Sequence, residues 1–219
     1  MLIIKIIAII PGYNEEKRIR NVVLNTKKYV DKIIVVDDGS KDKTTAIAKK
    51  SGAFVIRYEE NKGVGFASKV GLKKAISLKP DIIVFLDGDG QLNPGYIPQF
   101  IEKIKSGSDY VYGRRDLSNY PLDRKIGNFG LTVLTNLICP TGIKDTECGF
   151  RAITCEAAKK LNLKANRYER EVDFVYEVWR NKLMVDYVRI KVPVFHPKFA
   201  IIRGFKNFFY LIKRRLKLV

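Results

Sequence analysis

The strongest constraint on the fold is an alternation of short apolar runs with segments in which apolar residues recur every three or four positions. The apolar runs predict strands at 2–10, 33–37, 53–57 and 82–86, and the segments between them predict helices at 15–29, 42–51 and 64–78. This order favours parallel pairing, because each helix returns the chain to the same edge of the sheet. We therefore predict an α/β fold with a central, mostly parallel sheet and helices on both faces.

The second half of the chain has a looser pattern. It contains an apolar run at Tyr110–Tyr112, a polar stretch at 113–123, an apolar helix around 126–138, a glycine-rich loop, a helix around Val172–Trp179 and a strand at 185–194. The sequence shows no internal repeat or low-complexity linker, and 46 % hydrophobic residues among 219 suffice for a buried core. We expect one domain over 1–195 and a basic tail over 196–219.

Two loops after predicted strands carry side chains suited to ligand binding. Pro11-Gly12-Tyr13-Asn14-Glu15 follows the first strand, and Asp37-Asp38-Gly39-Ser40 follows the second. Open α/β sheets bind ligands at the carboxyl ends of their strands. Carboxylates there accept hydrogen bonds from a ribose or a base N–H, and Tyr13 offers a stacking face. Pro-Gly and Asp-Gly-Ser are also ordinary turn and capping signals, so a purely structural role is the alternative for either loop.

A third strand end is acidic, since the apolar run at 82–86 leads directly into Asp87-Gly88-Asp89-Gly90-Gln91. Two carboxylates separated by one glycine can converge on one hard cation, and Gln91 adds an amide oxygen. Mg²⁺ or Mn²⁺ prefers oxygen ligands, and Mg²⁺ commonly completes its shell with substrate phosphates. An EF-hand calcium loop is excluded, because Pro98 stands at the twelfth position, where that loop needs an acidic residue. The remaining alternative is an acidic turn.

A glycine-rich segment, Asn61-Lys62-Gly63-Val64-Gly65, leads into the helix predicted at 64–78. It lacks the Gly-Lys-Ser/Thr ending of a P-loop, and it does not follow the first strand as a dinucleotide fingerprint does. Neither of these nucleotide-binding classes is supported. Lys62 and the helix N-terminus are nonetheless suited to face a diphosphate.

In combination, these loops resemble those of the family 2 glycosyltransferases of GT-A fold, and among them the polyprenol-phosphate sugar synthases such as dolichyl-phosphate mannose synthase. The resemblance covers residues 4–195 and rests on four segments in this order: Pro11-x-Tyr13-Asn14-Glu15, Val36-Asp37-Asp38-Gly39-Ser40, Asn61-Lys62-Gly63 and Asp87-x-Asp89-x-Gln91. It implies a domain that binds a GDP- or UDP-sugar through Pro11, Tyr13, Glu15, Val36, Asp38, Lys62, Asp87 and Gly88. It implies a site for Mg²⁺ or Mn²⁺ formed by Asp87, Asp89 and Gln91.

A later segment, Asp145-Thr146-Glu147-Cys148-Gly149-Phe150-Arg151, is similar to the Asp-x-x-x-Gly-Phe-Arg stretch of the same synthases. Relatives that elongate saccharides often have a Gln-x-x-Arg-Trp type motif instead, so the resemblance implies a polyprenyl phosphate acceptor and inversion at the anomeric carbon. Arg115 is implied near the phosphates, although the family's Gly-Ser-Arg reads Gly-Arg-Arg here. Arg124 and Asn128 are implied at the acceptor phosphate, with Asn128 where the family has Ser. The implied catalytic residues are Asp89, Arg115 and Asp145.

The chemistry of the acceptor decides which groups the reaction needs. A lipid monophosphate is largely ionised near pH 7, because the second pKa of a phosphate is about 6, and a general base is then dispensable. Charge placement by Arg115 and Arg124 matters more in that case. A soluble enzyme acting on a saccharide or protein hydroxyl is the alternative function, and it would need a carboxylate base, for which Asp145 and Glu147 are the candidates.

The formal charge of +18, from 41 basic and 23 acidic residues, admits nucleic acid, anionic lipid or a phosphorylated substrate as partner. A basic nucleic-acid-binding protein is the least favoured reading, because no helix-turn-helix, RRM, KH or zinc pattern occurs, and we expect no nucleic-acid partner. The three cysteines and one histidine lack metal-ligand spacing, which argues against a zinc site or a disulfide scaffold. No apolar run approaches the ~20 residues of a membrane span, and we expect a cytoplasmic protein without a transmembrane helix.

The tail combines charge with an apolar stripe. Residues 196–219 hold seven basic residues and no acid. The residues of the stripe recur at helical spacing: Phe205, Phe208, Phe209, Ile212 and Leu216. Lys206, Lys213, Arg214 and Lys217 lie largely away from it. A basic amphipathic helix suits a membrane surface, at about 1 kcal/mol per basic residue near anionic headgroups, so we expect peripheral membrane binding through the tail. The alternative is a helix packed on the domain with a solvated outer face.

Overall fold

A seven-stranded sheet forms the centre of the computed structural model, which describes residues 4–193 and 200–218. The strands are β1 (Ile6–Gly12), β2 (Lys32–Asp37), β3 (Phe54–Arg57), β4 (Ile82–Phe85), β5 (Tyr110–Arg115), β6 (Arg151–Thr154) and β7 (Val185–Ile190). Their order across the sheet is β3-β2-β1-β4-β6-β5-β7. β6 runs antiparallel to both of its neighbours, whereas the other pairs are parallel. The predicted mostly parallel α/β sheet is confirmed.

Helices cover both faces of this sheet. They are α1 (Ile19–Thr26), α2 (Thr44–Lys50), α3 (Val64–Ser77), α4 (Ile97–Lys105), α5 (Leu122–Ile138), α6 (Cys155–Lys160), α7 (Arg170–Arg180) and α8 (Ala200–Arg215), with a short 3-10 turn at Pro94–Tyr96. Buried residues of α1, α2 and α4 form one hydrophobic core with the sheet, and those of α3, α6, α7 and α8 form a second core on the opposite face. Each fully buried aliphatic side chain contributes about 1.5–3 kcal/mol to these cores.

The register of the central strands brings three loops to one edge. Pro11 and Gly12 at the end of β1 pair with Val36 and Asp37 at the end of β2. On its other side β1 pairs with β4, which ends at Phe85. The segments that follow these three strands therefore start side by side, at the carboxyl edge where open α/β sheets bind ligands.

Several element bounds differ from the predicted ones. β1 continues to Gly12, past the predicted end at 10, and β7 ends at Ile190 rather than at 194. The first helix covers Ile19–Thr26, within the predicted 15–29. β6 and α6 were not predicted at all. β6 is only four residues long and opens with a buried arginine, so it lacks the apolar run that identifies the other central strands.

Candidate active site

Hydrogen bonds tie the first two loops to each other. The backbone N–H of Asn14 donates to Ser40 Oγ at 2.9 Å, and Asn14 Oδ1 accepts from the backbone N–H of Lys41 at 2.8 Å. The backbone N–H of Glu15 donates to Thr44 Oγ1 at 2.7 Å. The loops after β1 and β2 thus form one connected surface, as their position at the strand ends predicts.

The side chains of these loops differ in solvent exposure. Tyr13 is 44 % exposed, so its ring is accessible for stacking. Pro11 and Val36 are buried within β1 and β2. The Glu15 carboxylate pairs with Arg18 at 3.0 Å; burial raises the pKa of Glu15, and Arg18 opposes that rise. Of this set, Tyr13 presents the most accessible side chain for a nucleobase.

Asp38 anchors the loop that carries Lys62. It is 3 % exposed; Oδ1 accepts from the backbone N–H of Lys62 at 2.8 Å and Oδ2 from that of Gly63 at 2.7 Å. Gly63 has a φ of +101°, and a Cβ there would collide with the carbonyl oxygen of Asn166, so this turn requires glycine. The structure places Asp38 beside the predicted site, with both carboxylate oxygens already bonded to backbone.

The Lys62 ammonium lies among aromatic rings, 5.2 Å from the centroid of Phe66 and 5.7 Å from that of Tyr58. A surface pocket beside it is lined by Arg57, Tyr58, Glu59, Glu60 and Lys62. Burial, and to a smaller extent the Asp38 carboxylate, raises the pKa of Tyr58 to about 12. Cation–π contacts with these two rings hold the Lys62 ammonium near the loops after β1 and β2.

The acidic loop after β4 closes onto the first loop. The backbone N–H of Gly88 donates to the Pro11 carbonyl at 3.1 Å, and a Cβ at Gly88 would lie only 2.9 Å from that oxygen. Asp89 Oδ1 accepts from the backbone N–H of Gln91 at 3.0 Å. Burial raises the pKa of Asp89, and the neighbouring Asp87 carboxylate raises it further. Two half-buried acids therefore lie close enough to repel each other, which a bound cation would relieve.

This donor set fits a hexacoordinate hard cation that shares its shell with a ligand. Among the described residues, no group of three or more His, Cys, Asp or Glu could hold a metal ion. The chain therefore offers two carboxylates, Asp87 and Asp89, with the Gln91 amide nearby. Mg²⁺ is usually bound by one or two carboxylates plus substrate phosphates, so the residues present suit Mg²⁺ or its close analogue Mn²⁺.

Sequence reasoning missed an arginine at this site. Arg170, at the start of α7, donates from Nη2 to Asp87 Oδ1 at 3.0 Å, although the two residues lie 83 positions apart. In the sequence, Arg170 stands among Arg167, Glu169 and Glu171 and carries the same signal as any solvated charged residue at a helix start. The structure shows instead that it is 5 % exposed.

A second constellation joins Arg115, Asn128 and Asp145. The Arg115 guanidinium donates to both oxygens of Asp145, from Nε and Nη2 at 2.8 Å each, and from Nη2 to Asn128 Oδ1 at 3.2 Å. Burial disfavours the charge on Arg115, but Asp145 more than compensates and holds the Arg115 pKa above its ordinary value. Asp145 is 3 % exposed. Because both of its oxygens accept from Arg115, its geometry suits orienting that arginine better than accepting a proton.

The remaining predicted residues of this region are Arg124 and Glu147. Arg124 lies in α5 one turn before Asn128, and its side chain is outside the described ones. Glu147 Oε1 accepts from Asn207 Nδ2 at 2.8 Å. That bond connects the segment at 145–151 to α8, so the tail reaches the neighbourhood of the candidate site.

The tail helix is docked on the domain, and its predicted apolar stripe is largely exposed. α8 packs on α5 and α7 through the buried Asn207, Leu211 and Arg214. The stripe residues with most exposure are Phe205 at 62 %, Phe209 at 59 % and Leu216 at 62 %. Arg214 lies away from the stripe as predicted, but it is buried rather than solvated.

Positions 194–199, including His196, lie outside the described residues. In the part of the chain that is described, no helix has both the length and the apolar character needed to span a membrane.

The loop architecture has a counterpart in known proteins. Residues 7–162 match the family model described as glycosyl transferase family 2. The chain belongs to this family. It is a glycosyltransferase, as the combination of four loops predicted.

Two relatives and one solved structure illustrate the likeness. The chain is 38 % identical over 225 residues to an uncharacterised protein of Methanocaldococcus jannaschii, covering 97 % of this chain and 93 % of that one. It is also 38 % identical over 238 residues to the UDP-N-acetylglucosamine–dolichyl-phosphate N-acetylglucosaminyltransferase of Methanococcus voltae, covering 95 % of both. Glucosyl-3-phosphoglycerate synthase of Mycobacterium tuberculosis, in complex with Mn²⁺, UDP and glucosyl-3-phosphoglycerate, superposes with a TM-score of 0.76 at 21 % identity, over 96 % of this chain and 79 % of that one. The last comparison establishes the GT-A fold.

Proposed function

We propose that this glycosyltransferase moves a sugar from a nucleoside diphosphate sugar to a polyprenyl phosphate. The observation that carries the proposal is the character of α5. One side of this helix supplies Asn128 to the Arg115–Asp145 pair, whereas its outer side is apolar and exposed. The most exposed apolar residues of α5 are Leu122 at 71 %, Ile126 at 62 %, Phe129 at 70 % and Leu137 at 75 %. A polyprenyl phosphate needs such a combination of a cationic group with an adjoining apolar surface.

The donor side would use the loops after β1, β2 and β4. Tyr13 offers a stacking face for the base, with Glu15 and the Asp38–Lys62 loop beside it. Asp87, Asp89 and Gln91 would hold Mg²⁺ or Mn²⁺, and such an ion supplies Lewis-acid stabilisation to a diphosphate leaving group. Lys62 adds positive charge near these loops. A tyrosine ring can stack on either a uracil or a guanine base, so both UDP- and GDP-sugars belong in the test.

The acceptor side would work through charge placement. A lipid monophosphate is mostly dianionic near pH 7, because its second pKa is about 6, so its oxygen attacks without a base. Arg115, oriented by Asp145, and Arg124 would bind and aim that phosphate. Attack in line with the departing diphosphate inverts the anomeric configuration. The bidentate Arg115–Asp145 contact supports this scheme over one in which Asp145 deprotonates a sugar hydroxyl.

Membrane binding would involve α5 together with the tail. α5 packs on α8, and both helices expose large apolar side chains. Among the side chains of α8 and the following turn that the structure describes, the exposed basic ones are Lys206, Lys213, Arg215 and Lys217. Apolar side chains beside basic ones favour the interface of an anionic bilayer. The surface is broader than the tail stripe alone and extends from the acceptor residues outwards, which supports a peripheral enzyme at the cytoplasmic membrane face.

Transfer assays with matched acceptors test this function. Purified protein receives labelled UDP- and GDP-sugars with Mg²⁺ or Mn²⁺, and polyprenyl phosphate, the corresponding polyprenol or a soluble disaccharide as acceptor. We expect product only with the phosphorylated lipid. Asp87→Ala is expected to abolish turnover while keeping the fold, and the exposed Glu156→Ala serves as control. Transfer to the disaccharide but not to the lipid phosphate would overturn the proposal.

A further inference from the structure

The acidic residue Asp87 is held by a buried arginine that reaches it from another part of the fold. Arg170 uses all three nitrogens of its guanidinium. Nη2 donates to Asp87 Oδ1 at 3.0 Å, Nη1 donates to Ser68 Oγ at 3.1 Å, and Nε donates to Glu171 Oε1 at 2.8 Å. Contacts to three different elements leave this guanidinium little freedom to turn. Its charge is therefore fixed beside the carboxylate.

The partners of Arg170 are themselves fixed. Glu171 pairs with Arg151 as well as with Arg170. Arg151 is 2 % exposed, donates from Nη2 to the Cys148 carbonyl at 2.8 Å, and stacks on the ring of Phe174 at 4.2 Å. This chain of alternating charges runs from the interior of the sheet to the rim of the site. Desolvation offsets most of the attraction within a buried ion pair, so this network adds little net stability.

Gly149 adds a steric limit on the other side of the carboxylate. A Cβ at this position would collide with Asp87 Oδ2 and would lie 3.1 Å from Arg170 Nη2. Its φ does not require glycine, so the space taken by the carboxylate is the reason for the small residue. Asp87 is thus bonded through Oδ1 and packed at Oδ2 against the backbone of the segment at 145–151.

We propose that Arg170 is a positioning residue that holds the Asp87 carboxylate in one orientation for a divalent cation and the diphosphate of the donor. Glu171 and Arg151 fix the arginine, and Gly149 provides the space in which the carboxylate sits. The Gly149-Phe150-Arg151 part of the acceptor-side segment then serves the donor side as well. The proposal rests on the proposed function, since it assumes that Asp87 helps to hold a cation and a nucleotide. Partners that orient metal ligands typically change metal affinity by 10–100-fold when they are removed.

Calorimetric titration of Mn²⁺, in the presence of UDP and separately of GDP, tests the role without depending on turnover. We expect Arg170→Ala to weaken Mn²⁺ binding by at least 10-fold. Arg170→Lys is expected to have an intermediate effect, because lysine keeps the positive charge but lacks the planar guanidinium that donates to several partners at once. Arg180→Ala, which removes an arginine–glutamate pair at the far end of the same helix, is the matched control and is expected to bind as the wild type does. Thermal melting shows that each variant is folded at the temperature of the titration.

Gly149→Ala provides a second route if Arg170→Ala does not fold. The added methyl group displaces the Asp87 carboxylate without removing any charge, and we expect the same loss of at least 10-fold. Mn²⁺ affinities within twofold of the wild type, or tighter, in folded Arg170→Ala and Gly149→Ala would overturn the positioning role alone. A wild-type protein that binds neither nucleotide with Mn²⁺ would overturn the proposed function, and this inference with it.

Discussion

The Arg214 guanidinium of α8 donates to Asp173 Oδ1 of α7 at 2.7 Å, and both side chains are buried. A second bond runs from Arg214 Nη2 to Glu177 Oε1 at 2.9 Å. The Arg214 guanidinium also lies 4.7 Å from the centroid of the Tyr176 ring. The tail helix is therefore attached by a compensated charge cluster, and its apolar stripe is left on the outside.

Removing the arginine from this cluster is expected to destabilise the protein strongly. Arg214→Ala leaves Asp173 buried without its cation and removes one of the two arginines that pair with Glu177, which keeps Arg180. Breaking a buried pair such as Arg214–Asp173 costs about 3–5 kcal/mol. Urea unfolding measures the change in the free energy of unfolding. Lys213→Ala removes an exposed charge from the same helix and is expected to shift stability by less than about 0.5 kcal/mol. Equal stabilities of the two variants would show that α8 is not held by this cluster.

The role assigned to Asp145 predicts which kinetic constant changes. Asp145→Asn keeps the shape of the side chain but weakens its hold on Arg115, so we expect the KM for the acceptor to rise about 10-fold or more with little change in the KM for the donor. Steady-state kinetics with each substrate varied in turn separates the two. A fall in kcat alone, accompanied by loss of the acidic limb of the pH–rate profile, would instead identify Asp145 as a general base.

The first half of the fold was predictable from sequence because its strands are continuous apolar runs that end in polar loops. β4, for example, is buried along its whole length, and one further buried residue, Leu86, separates it from Asp87. β6 was not predictable, since its first residue is Arg151, whose burial depends on Glu171, 20 residues further on. Local pattern carries no information about such a pairing.

The candidate site likewise contains residues that the sequence predicts and one, Arg170, that it does not. The loop residues were predicted because chemistry-bearing side chains follow the ends of adjacent parallel strands, and the register of β1, β2 and β4 then brings them together. Arg170 was missed because it comes from a helix start rather than from a strand end. The sequence also left open whether Asp38 is free to bind ligand, and the structure shows its carboxylate bonded to the backbone of Lys62 and Gly63.

Two glycines are expected to respond to alanine in opposite directions. Gly63 has a φ of +101° and no room for a Cβ, so Gly63→Ala is expected to destabilise the protein by more than about 1 kcal/mol and to loosen the loop that Asp38 anchors. Gly130 lies within α5 with no atom within 4 Å of the position of an added Cβ, so Gly130→Ala is expected to stabilise by about 0.5–1 kcal/mol. Thermal melting of both variants checks the signs. A stabilised Gly63→Ala would contradict the geometry of this turn.

The buried cysteines are expected to be inert in the native protein. Burial raises the pKa of Cys139 to about 11 and that of Cys148 to about 12, so both thiols stay protonated at pH 8. We expect reaction with an aromatic disulfide reagent to be slow in buffer and complete in urea. Because an unfolded thiol ionises near its ordinary pKa of about 8.5, stability from these groups is present below that pH and is lost as pH rises towards the folded values. Fast labelling of the native protein would contradict their burial.

The exposed surface of α5 and α8 predicts a specific response to added charge. Phe129→Glu on α5 and Phe205→Glu on α8 place a carboxylate within an apolar surface, so each is expected to weaken binding to anionic vesicles by about 10-fold or more. Leu24→Glu, at a residue of α1 that is 40 % exposed, is the control, because α1 packs on the opposite face of the sheet. Co-sedimentation with vesicles of anionic and of neutral lipid measures the bound fraction.

Added salt is expected to weaken wild-type binding, because salt screens the attraction between the basic residues beside these helices and the anionic lipid. If both phenylalanine variants bind as the Leu24 control does, the membrane lies against another surface, whereas loss in the Phe205 variant alone would restrict the contact to the tail.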